Sequence, residues 1–376
     1  MLTIGVMSGT SLDGVDGVLA HFDPREGLAV LAHVHHAMPG ELQREFLALN
    51  SSGADELHRA ALAGNALSRL QAMVVADLLV HGGVSAAEVR AIGSHGQTVR
   101  HRPGDFDATG YTLQVNQPAL LAELAGIDVV ADFRSRDVAA SGQGAPLVPA
   151  FHATVFRHPD RARAILNLGG IGNLTLLAAA DKPCPSAVCG FDCGPGNALL
   201  DHWVSQHRSL PFDADGQWAA GGTVHAPLLT RLLDEPFLRA TPPKSTGRDL
   251  FNPGWLAAKL VSFAALPAQT VQSTLAEFTA AAASEALLRH GPEVSEVLVC
   301  GGGALNGDLM RRLAARLPGL TVASTAAAGL PPMQVEAAAF AWLAMAFVQR
   351  RPGNLPEVTG AKGPRVLGAL YPAGAG

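Results

Sequence analysis

The sequence is poor in cysteine, has no run of basic residues and has no long uninterrupted apolar stretch. Its 376 residues include only four cysteines, too few for a disulfide scaffold in a chain of this length. Gly, Pro or charged residues interrupt every apolar run before it reaches the roughly 20 residues that a membrane helix needs. The net charge is -5, without the basic patch of a nucleic-acid-binding protein. These absences argue against a membrane protein and a nucleic-acid-binding protein, and they favour a small-molecule partner.

The first residues leave no room for an export signal. A strand-like segment begins at Leu2, without the charged and apolar regions of a signal peptide. We therefore expect a cytoplasmic protein with reduced cysteines. Cys184, Cys189 and Cys193 are close in sequence, but their spacing matches no zinc pattern and no His lies between them. We expect buried thiols there rather than metal ligands.

Length and composition predict two domains. A chain of 376 residues exceeds the usual span of one hydrophobic core, and 48% hydrophobic with 16% charged residues is typical of a folded globular protein. Two lobes imply a cleft between them. We predict one lobe at 1–147, to which residues 350–376 return, and a second at 148–349. The stretch 141–149, rich in Pro and Gly, is the candidate hinge.

One sequence pattern occurs twice. Each copy has an apolar strand, a Gly-rich turn and a second apolar strand, and the copies cover residues 3–22 and 164–177. The period is about half the chain, which indicates two duplicated domains rather than an array of short repeats. Strands alternate with helical patterns in both halves, so the sequence predicts two α/β domains.

The first Gly-rich turn has the composition of a phosphate-binding loop. Between Gly9 and Gly14 it offers backbone N–H groups, the hydroxyls of Thr10 and Ser11, and the carboxylate of Asp13, which can hold Mg²⁺ directly or through water. It is not a Walker A loop, because no Lys is present and a strand follows. An ordinary hairpin that uses Gly for positive φ is the alternative. A second Gly-rich hairpin and a later strand that ends in three glycines favour nucleotide binding.

This arrangement resembles the superfamily of actin, sugar kinases and Hsp70-like ATPases, in which two duplicated domains clamp ATP between facing hairpins. Seven segments, in order across nearly the whole chain, make it similar to the 1,6-anhydro-N-acetylmuramic acid kinase family. The segments are VMSGTSLDGVD (6–16), GSHGQT (93–98), DFR (132–134), GQGAPLVP (142–149), GFDCGPGN (190–197), PPMQVEA (331–337) and VTGA (358–361). The resemblance implies two actin-like ATPase domains of the ribonuclease H-like type, with the cleft between them.

The resemblance also implies a reaction. Enzymes of this family act in bacterial cell-wall recycling and convert 1,6-anhydro-N-acetylmuramic acid, ATP and water to N-acetylmuramic acid 6-phosphate and ADP, with Mg²⁺ as the metal. Water attacks the anomeric carbon, the 1,6-anhydro bridge opens, and the released O6 takes the γ-phosphoryl group. The implied partners are the sugar and ATP. Exposed apolar faces on the helix predicted from Val271 to His290 would allow a homodimer, with core packing of that helix as the alternative.

The resemblance and the Gly-rich turns together predict the nucleotide-binding residues. They fall in the first turn and the strand after it, the second hairpin, the segment that follows it, and the three consecutive glycines. They are Gly9, Thr10, Ser11, Leu12, Asp13, Gly14, Val15, Asp16, Gly169, Gly170, Asn173, Gly194, Gly196, Asn197, Gly301, Gly302 and Gly303.

Asp192 is the predicted general base. The implied reaction needs a carboxylate that accepts the proton of the attacking water. Asp192 lies among glycines that allow a ligand to approach, in a segment that we expect to form a turn. A turn aspartate bonded to its own backbone is the alternative.

The lactyl carboxylate of the implied substrate requires a fixed cation. Arg136, with Arg134 as second choice, can hold a carboxylate through two parallel hydrogen bonds. Each of these residues has a structural alternative. The arginines would be solvated surface residues, His95 would be a structural histidine, and Glu336 would only interact with the positive end of a helix dipole. The predicted sugar-binding residues are His95, Gln97, Asp132, Arg136 and Glu336.

Two other functions compete with this prediction. A conventional sugar or acetate kinase of the same superfamily would phosphorylate a free hydroxyl without breaking a bridge. An ATP-gated binding protein of the Hsp70 or actin type would not be an enzyme of sugar metabolism, and an Hsp70 would need a peptide-binding domain that we do not expect here.

Overall fold

The computed structural model describes residues 1–9, 11–181, 187–247 and 250–374. The chain divides into two compact units, one formed by 1–155 with 334–376 and the other by 156–333. The lobes predicted from the sequence have other boundaries, at 147/148 and 349/350, and these stay a prediction. The candidate hinge at 141–149 lies within the first unit, where Gln143 N–H donates to Thr359 O at 2.7 Å.

The first unit is an α/β domain with one six-stranded sheet and a separate two-stranded hairpin, β5–β6. Its strands are β1 (Leu2–Met7), β2 (Gly14–Asp23), β3 (Gly27–Ala37), β4 (Ile92–Ser94), β5 (Gln97–Pro103), β6 (Gly110–Val115), β7 (Val129–Ala131) and β13 (Ala369–Tyr371). Its helices are α1 (Gly40–Leu49), α2 (Glu56–Gly82), α3 (Pro118–Ala125), α4 (Ser135–Val138), α13 (Val335–Val348) and α14 (Pro356–Thr359), and α5 (Val148–Phe156) ends at the boundary.

The second unit is also α/β, with one five-stranded sheet. Its strands are β8 (Ala162–Leu168), β9 (Ile171–Leu177), β10 (Val188–Pro195), β11 (Val294–Cys300) and β12 (Thr321–Ser324). Its helices are α6 (Ala198–Arg208), α7 (Gln217–Ala220), α8 (Ala226–Leu233), α9 (Pro236–Arg239), α10 (Pro253–Leu260), α11 (Ala268–His290) and α12 (Gly307–Arg316).

The two sheets share one strand order over five strands, with β13 as an additional edge strand of the first sheet, and this confirms the predicted duplication. The first sheet runs β13-β7-β4-β1-β2-β3 and the second β12-β11-β8-β9-β10 when read in the same direction. In each, three antiparallel strands come first in the chain, and the fourth strand pairs parallel to the first. The two Gly-rich turns occupy equivalent positions, between the first and second strands of their sheets. Each unit therefore has the topology of one of the two duplicated α/β domains that the resemblance implied.

Helix α13 packs directly on the first sheet. Its residues are almost all apolar, and most are buried. A Cβ atom at Gly5 would lie 2.4 Å or less from α13 backbone atoms, and one at Gly93 would overlap Phe340 O, so glycine on β1 and β4 lets the helix approach the strands. The predicted helix at 333–349 therefore packs within the first unit.

Helix α11 is a core element of the second unit. Most of its residues from Val271 to Leu287 are buried, whereas its last turn is partly exposed, and it contacts helices α6, α7, α8 and α12 together with β9 and β10. Core packing, the alternative to a dimer face, is therefore the correct account of this helix, because a residue buried within one unit is not available to a second copy. At the start of α12, Asn306 caps the helix as its sequence indicates, accepting from Leu309 N at 3.0 Å.

Candidate active site

The first Gly-rich turn places small polar groups at the surface of the first unit. Ser11 Oγ donates to Asp13 Oδ1 at 2.7 Å, and both residues are exposed. Leu12 is buried and has a φ of 60°, so its backbone makes a sharp turn while its side chain packs in the core. Gly9 O accepts from Leu12 N at 3.3 Å. The predicted phosphate-binding residue Thr10 lies outside the described residues.

The next three predicted residues belong to strand β2 rather than to the turn. Gly14 and Val15 are buried. The carboxylate of Asp16 lies 3.2 Å from His33 Nε2 and 3.1 Å from His35 Nδ1 on the neighbouring strand β3. Among the described residues of this segment, Ser11 and Asp13 are the ones with exposed polar side chains, and Asp16 is half-buried.

Two predicted sugar-binding side chains lie just beyond strand β4 and are buried. His95 Nε2 accepts a hydrogen bond from Arg134 Nε at 3.1 Å. Burial, and then the charge of Arg134, lower the pKa of His95 to about 3, so the imidazole is neutral and can accept this bond. Gln97 Oε1 accepts from Ser8 Oγ in a short hydrogen bond. Ser8 immediately precedes the first Gly-rich turn, so this turn and the predicted sugar-binding segment adjoin.

Arg134, the second choice for carboxylate binding, connects several parts of the first unit. Besides its bond to His95, Arg134 donates from Nη1 to Gly144 O at 2.8 Å. Burial lowers the pKa of Arg134 to about 10, against the opposing charges of Glu336 and Asp137. Its hydrogen bonds within the protein occupy several of its donors, which favours Arg136 for binding a ligand.

Arg136 lies on the short helix α4 and is exposed. Within the described ranges it forms no ion pair with an acidic side chain. Asp132, also exposed, has a φ of 57° at the end of β7, a conformation that Asp tolerates better than most residues. Glu336 lies in the first turn of α13. The structure therefore places the predicted sugar-binding residues within one unit.

Asp137, which the sequence did not single out, organises the segment around Arg134. It is fully buried. Its Oδ2 accepts from Gly144 N at 2.8 Å, and its Oδ1 accepts from Asn354 Nδ2 at 2.6 Å and from Thr359 Oγ1 at 2.8 Å. One carboxylate therefore joins the segment from Asp137 to Gly144 to a distant segment that contains Asn354 and Thr359.

The second Gly-rich turn is held by the segment that follows β10. Gly196 N donates to Gly170 O at 3.0 Å, and Asn197 N donates to Gly169 O at 2.8 Å. The Asn197 side chain also donates to Leu168 O at 2.9 Å. The backbone N–H groups of Gly196 and Asn197 thus bond to the turn itself, and these two residues support its shape.

The three consecutive glycines meet the same turn. Gly301 has a φ of 75°, and a Cβ atom there would lie 2.9 Å from Leu168 O. Gly303 also packs on Leu168, at the end of β8, and Gly302 lies between them at the start of a 3₁₀ turn. The predicted phosphate-binding segments of the second unit therefore adjoin at the end of one strand.

Asp192 lies in strand β10, so the expectation of a turn at this position was wrong. The segment extends as strand because Val188 to Pro195 pairs with β9. The register shifts between Asp192 and Gly194, and Gly194 has a φ of 149°. An irregularity of this kind re-aims a side chain at the edge of a sheet, and it explains why a Gly-rich stretch can still be a strand.

The Asp192 carboxylate is fixed by donors to both of its oxygens. Oδ1 accepts from Asn173 Nδ2 at 2.8 Å, and Oδ2 accepts from Thr246 N at 2.8 Å. Burial raises the pKa of Asp192 above its ordinary value, while the two hydrogen bonds and the charge of Lys244 act in the opposite direction. A carboxylate has about four lone-pair positions, so one that accepts two such bonds can still take a proton from water.

The loop that contacts Asp192 could not be predicted from the sequence. Lys244 O accepts from Asp192 N at 3.1 Å, although more than 50 residues separate them. The Lys244 ammonium donates to Phe237 O and Leu238 O and lies 4.8 Å from the centre of the Phe237 ring. The nearby Pro242-Pro243 pair marks an irregular segment, but nothing in the sequence indicates where that segment docks.

Two of the three clustered cysteines, Cys189 and Cys193, lie in strand β10, where Cys189 is half-buried. Cys193 is buried, and burial raises its pKa to about 12; burial also raises the pKa of Cys189. Among the residues described, no three His, Cys, Asp or Glu side chains are grouped so as to hold a metal ion. Cys184 lies outside those residues. In the same part of the chain, no helix is long and apolar enough to cross a membrane.

Comparisons with known proteins identify close relatives. A family model described as anhydro-N-acetylmuramic acid kinase matches residues 1–373. Relatives with that name include one from Variovorax paradoxus (strain S110), 60% identical over 374 residues and 99% of both chains. Another, from Cupriavidus metallidurans (strain ATCC 43123 / DSM 2839 / NBRC 102507 / CH34), is 56% identical over 371 residues, 98% of this chain and 97% of the relative.

Solved structures show more distant similarity. An activator of the 2-hydroxyisocaproyl-CoA dehydratase from Clostridium difficile has a TM-score of 0.48 at 12% identity, covering 93% of this chain and 96% of the other. A xylulose kinase from Rhodospirillum rubrum has a TM-score of 0.45 at 12% identity, covering 92% of this chain and 90% of the other.

Proposed function

The chain belongs to the anhydro-N-acetylmuramic acid kinase family, and we propose that it converts 1,6-anhydro-N-acetylmuramic acid, ATP and water to N-acetylmuramic acid 6-phosphate and ADP. It is a phosphotransferase with an alcohol group as acceptor, and it acts in peptidoglycan recycling. The observation that carries the mechanism is the Asp192 carboxylate, held at both oxygens in a setting where burial raises its pKa.

Asp192 acts as the general base in the hydrolytic step. One proton of the attacking water passes to its carboxylate, the water oxygen bonds to the anomeric carbon, and the bond from that carbon to O6 breaks. O6 then takes the γ-phosphoryl group, and the bond from phosphorus to the ADP oxygen breaks. A raised pKa suits the task because a stronger base removes the proton more readily, provided that the group stays ionised at the working pH.

The Gly-rich turns bind the phosphates of ATP. In the first turn, Ser11 supplies a hydroxyl and Asp13 an exposed carboxylate; in the second, Gly169 and Gly170 supply backbone without side chains. The oxygen donors of Asp13 fit Mg²⁺, which is typically bound by one or two carboxylates with phosphates and waters. When bound there, Mg²⁺ would neutralise charge on the phosphates, which is the main requirement of phosphoryl transfer.

Sugar recognition belongs to the residues of the first unit. Arg136 binds the lactyl carboxylate, because its guanidinium is exposed and forms no ion pair with an acidic residue in the described ranges, whereas Arg134 donates to His95 and Gly144. Glu336 and Asp132 supply acceptors for sugar hydroxyls. His95 and Gln97 line the same region.

Arg136→Ala should raise the KM for the sugar about 10-fold to 100-fold, because a hydrogen bond to a charged group contributes about 1.5 to 3 kcal/mol. The KM for ATP should change little, and steady-state kinetics with each substrate varied in turn measures both. Arg25→Ala, which removes an exposed arginine from the turn between β2 and β3, is the matched control and should alter neither constant. Equal increases in the two KM values for Arg136→Ala would contradict the assignment.

A coupled assay of ADP release tests the proposed reaction against its alternative. The enzyme should release ADP with 1,6-anhydro-N-acetylmuramic acid and not with free N-acetylmuramic acid. A conventional sugar kinase that phosphorylates a free hydroxyl would show the opposite preference. We also propose that the enzyme works in the cytoplasm, where ATP is available. Because most of α11 is buried within its own unit, a homodimer would have to form through another surface; light scattering on the purified protein measures whether its mass is that of one chain or two.

A further inference from the structure

Asn173 and Asp192 face each other across two neighbouring strands. They are direct partners in the antiparallel pairing of β9 with β10, so their side chains lie on the same face of the sheet. The Asn173 amide nitrogen donates to Asp192 Oδ1 at 2.8 Å, and both residues are half-buried. Rigid strands hold both ends of this hydrogen bond.

The two donors to the Asp192 carboxylate differ in kind. Thr246 donates from its backbone N–H, which no substitution except one to proline removes. Asn173 donates from its side chain, so the identity of the residue at position 173 determines whether the carboxylate receives this hydrogen bond. A base must be held in its productive geometry by groups whose own positions are fixed, and a strand residue opposite the base meets that requirement.

We propose that Asn173 is a positioning residue that holds the Asp192 carboxylate in its reactive orientation and favours its ionised form. This inference rests on the proposed function, in which Asp192 is the general base. Asn173 acts through Asp192 and donates to neither substrate. The sequence alone had suggested phosphate binding for Asn173, and the two roles predict different kinetics.

The direction of the effect follows from the hydrogen bond. Donation from Asn173 stabilises the carboxylate and lowers the pKa of Asp192, against burial, which raises it. Removing the donor therefore raises this pKa. Because the base works only when ionised, activity falls as the pH drops through its pKa, so a higher pKa moves the acid limb of the pH–rate profile to higher pH.

Two substitutions separate positioning from space-filling. Asn173→Ala removes the amide, and Asn173→Asp keeps its size while replacing the donor by a second carboxylate. Two carboxylates that share a site cannot both ionise easily, so Asn173→Asp should shift the acid limb further than Asn173→Ala. For Asn173→Ala we expect the limb to move by about one pH unit and kcat at neutral pH to fall about 10-fold, with the KM for ATP unchanged.

The measurement is the pH dependence of kcat/KM for the anhydro sugar at saturating ATP. Asn252→Ala is the matched control, because Asn252 caps helix α10 by accepting from Trp255 N at 2.9 Å, and its loss should lower thermal stability without moving the acid limb. A thermal melt of each variant shows whether it is folded. An unmoved limb in both folded Asn173 variants, or a loss confined to the KM for ATP, would overturn the inference.

The Asp192→Asn background distinguishes this inference from the proposed function. If Asn173 acts through Asp192, adding Asn173→Ala to Asp192→Asn should cause no further loss of kcat; an additional loss of similar size would overturn the role of Asn173. Should Asp192→Asn alone retain activity, the proposed function itself would fail. Should Asp192→Asn be inactive while both Asn173 variants keep the original acid limb, only this inference would fail.

Discussion

Asp192→Asn should lower kcat for the anhydro sugar by a factor of about 10² or more, because general-base catalysis contributes about 10² to 10⁴ in rate. The amide has nearly the shape of the carboxylate but cannot take a proton from water. The amide has only one acceptor oxygen, so it cannot accept both existing hydrogen bonds, and its NH₂ group must face the donor of either Asn173 or Thr246. The loss should appear in kcat, since the phosphate-binding turns are unaltered.

Asp213→Asn is the matched control for that substitution. Asp213 also lies in the second unit and accepts from Trp218 N and Ala219 N, both at 2.9 Å, but it has no role in the proposed chemistry. Its substitution should lower thermal stability and leave kcat nearly unchanged. Near wild-type turnover by Asp192→Asn, with the protein folded, would refute the assignment of the base.

Asp137→Ala should lower the free energy of unfolding of the first unit by about 3 kcal/mol or more. The substitution leaves the donors of Gly144, Asn354 and Thr359 without their acceptor in a fully buried position, and each unsatisfied buried group costs about 1 to 3 kcal/mol. Urea unfolding followed by circular dichroism measures the loss.

The isosteric change Asp137→Asn provides the comparison. It retains one acceptor oxygen, so its loss should be smaller than that of Asp137→Ala. Because Gly144 also accepts from Arg134, the larger loss should be accompanied by a higher KM for the sugar. A surface substitution typically changes the free energy of unfolding by no more than about 0.5 kcal/mol. If the free energies of unfolding of both variants differed from that of the wild type by no more than this, Asp137 would not organise this segment.

Local sequence patterns were sufficient to predict the repeated part of the fold. The strand, turn and strand pattern depends on alternation and on glycine, which are local properties, so both hairpins occur where they were expected. The cap at Asn306 is local in the same sense. The turn predicted at Asp192 was wrong. Glycines usually mark a turn, but in this segment they belong to an irregular strand that pairs with β9.

Contacts between distant segments could not be predicted from the sequence. Nothing local distinguishes Arg134 from Arg136, yet Arg134 is half-buried and bonded to His95, whereas Arg136 is exposed. The backbone donor at Thr246 reaches Asp192 from a loop 54 residues away. Helix α13 has an apolar sequence that would suit a core in either half, and glycines on β1 and β4 determine where it packs.

In the proposed reaction, one enzyme hydrolyses the anhydro bridge and phosphorylates the oxygen that the bridge releases. Running the reaction in ¹⁸O-labelled water, with immediate borohydride reduction of the product to prevent exchange at the anomeric carbon, tests it most directly by mass spectrometry. Authentic product exposed to the same water and reduced in the same way gives the background. We predict one ¹⁸O atom at the former anomeric carbon and none in the phosphoryl group. An unlabelled anomeric carbon, or label in the transferred phosphoryl group, would contradict the account.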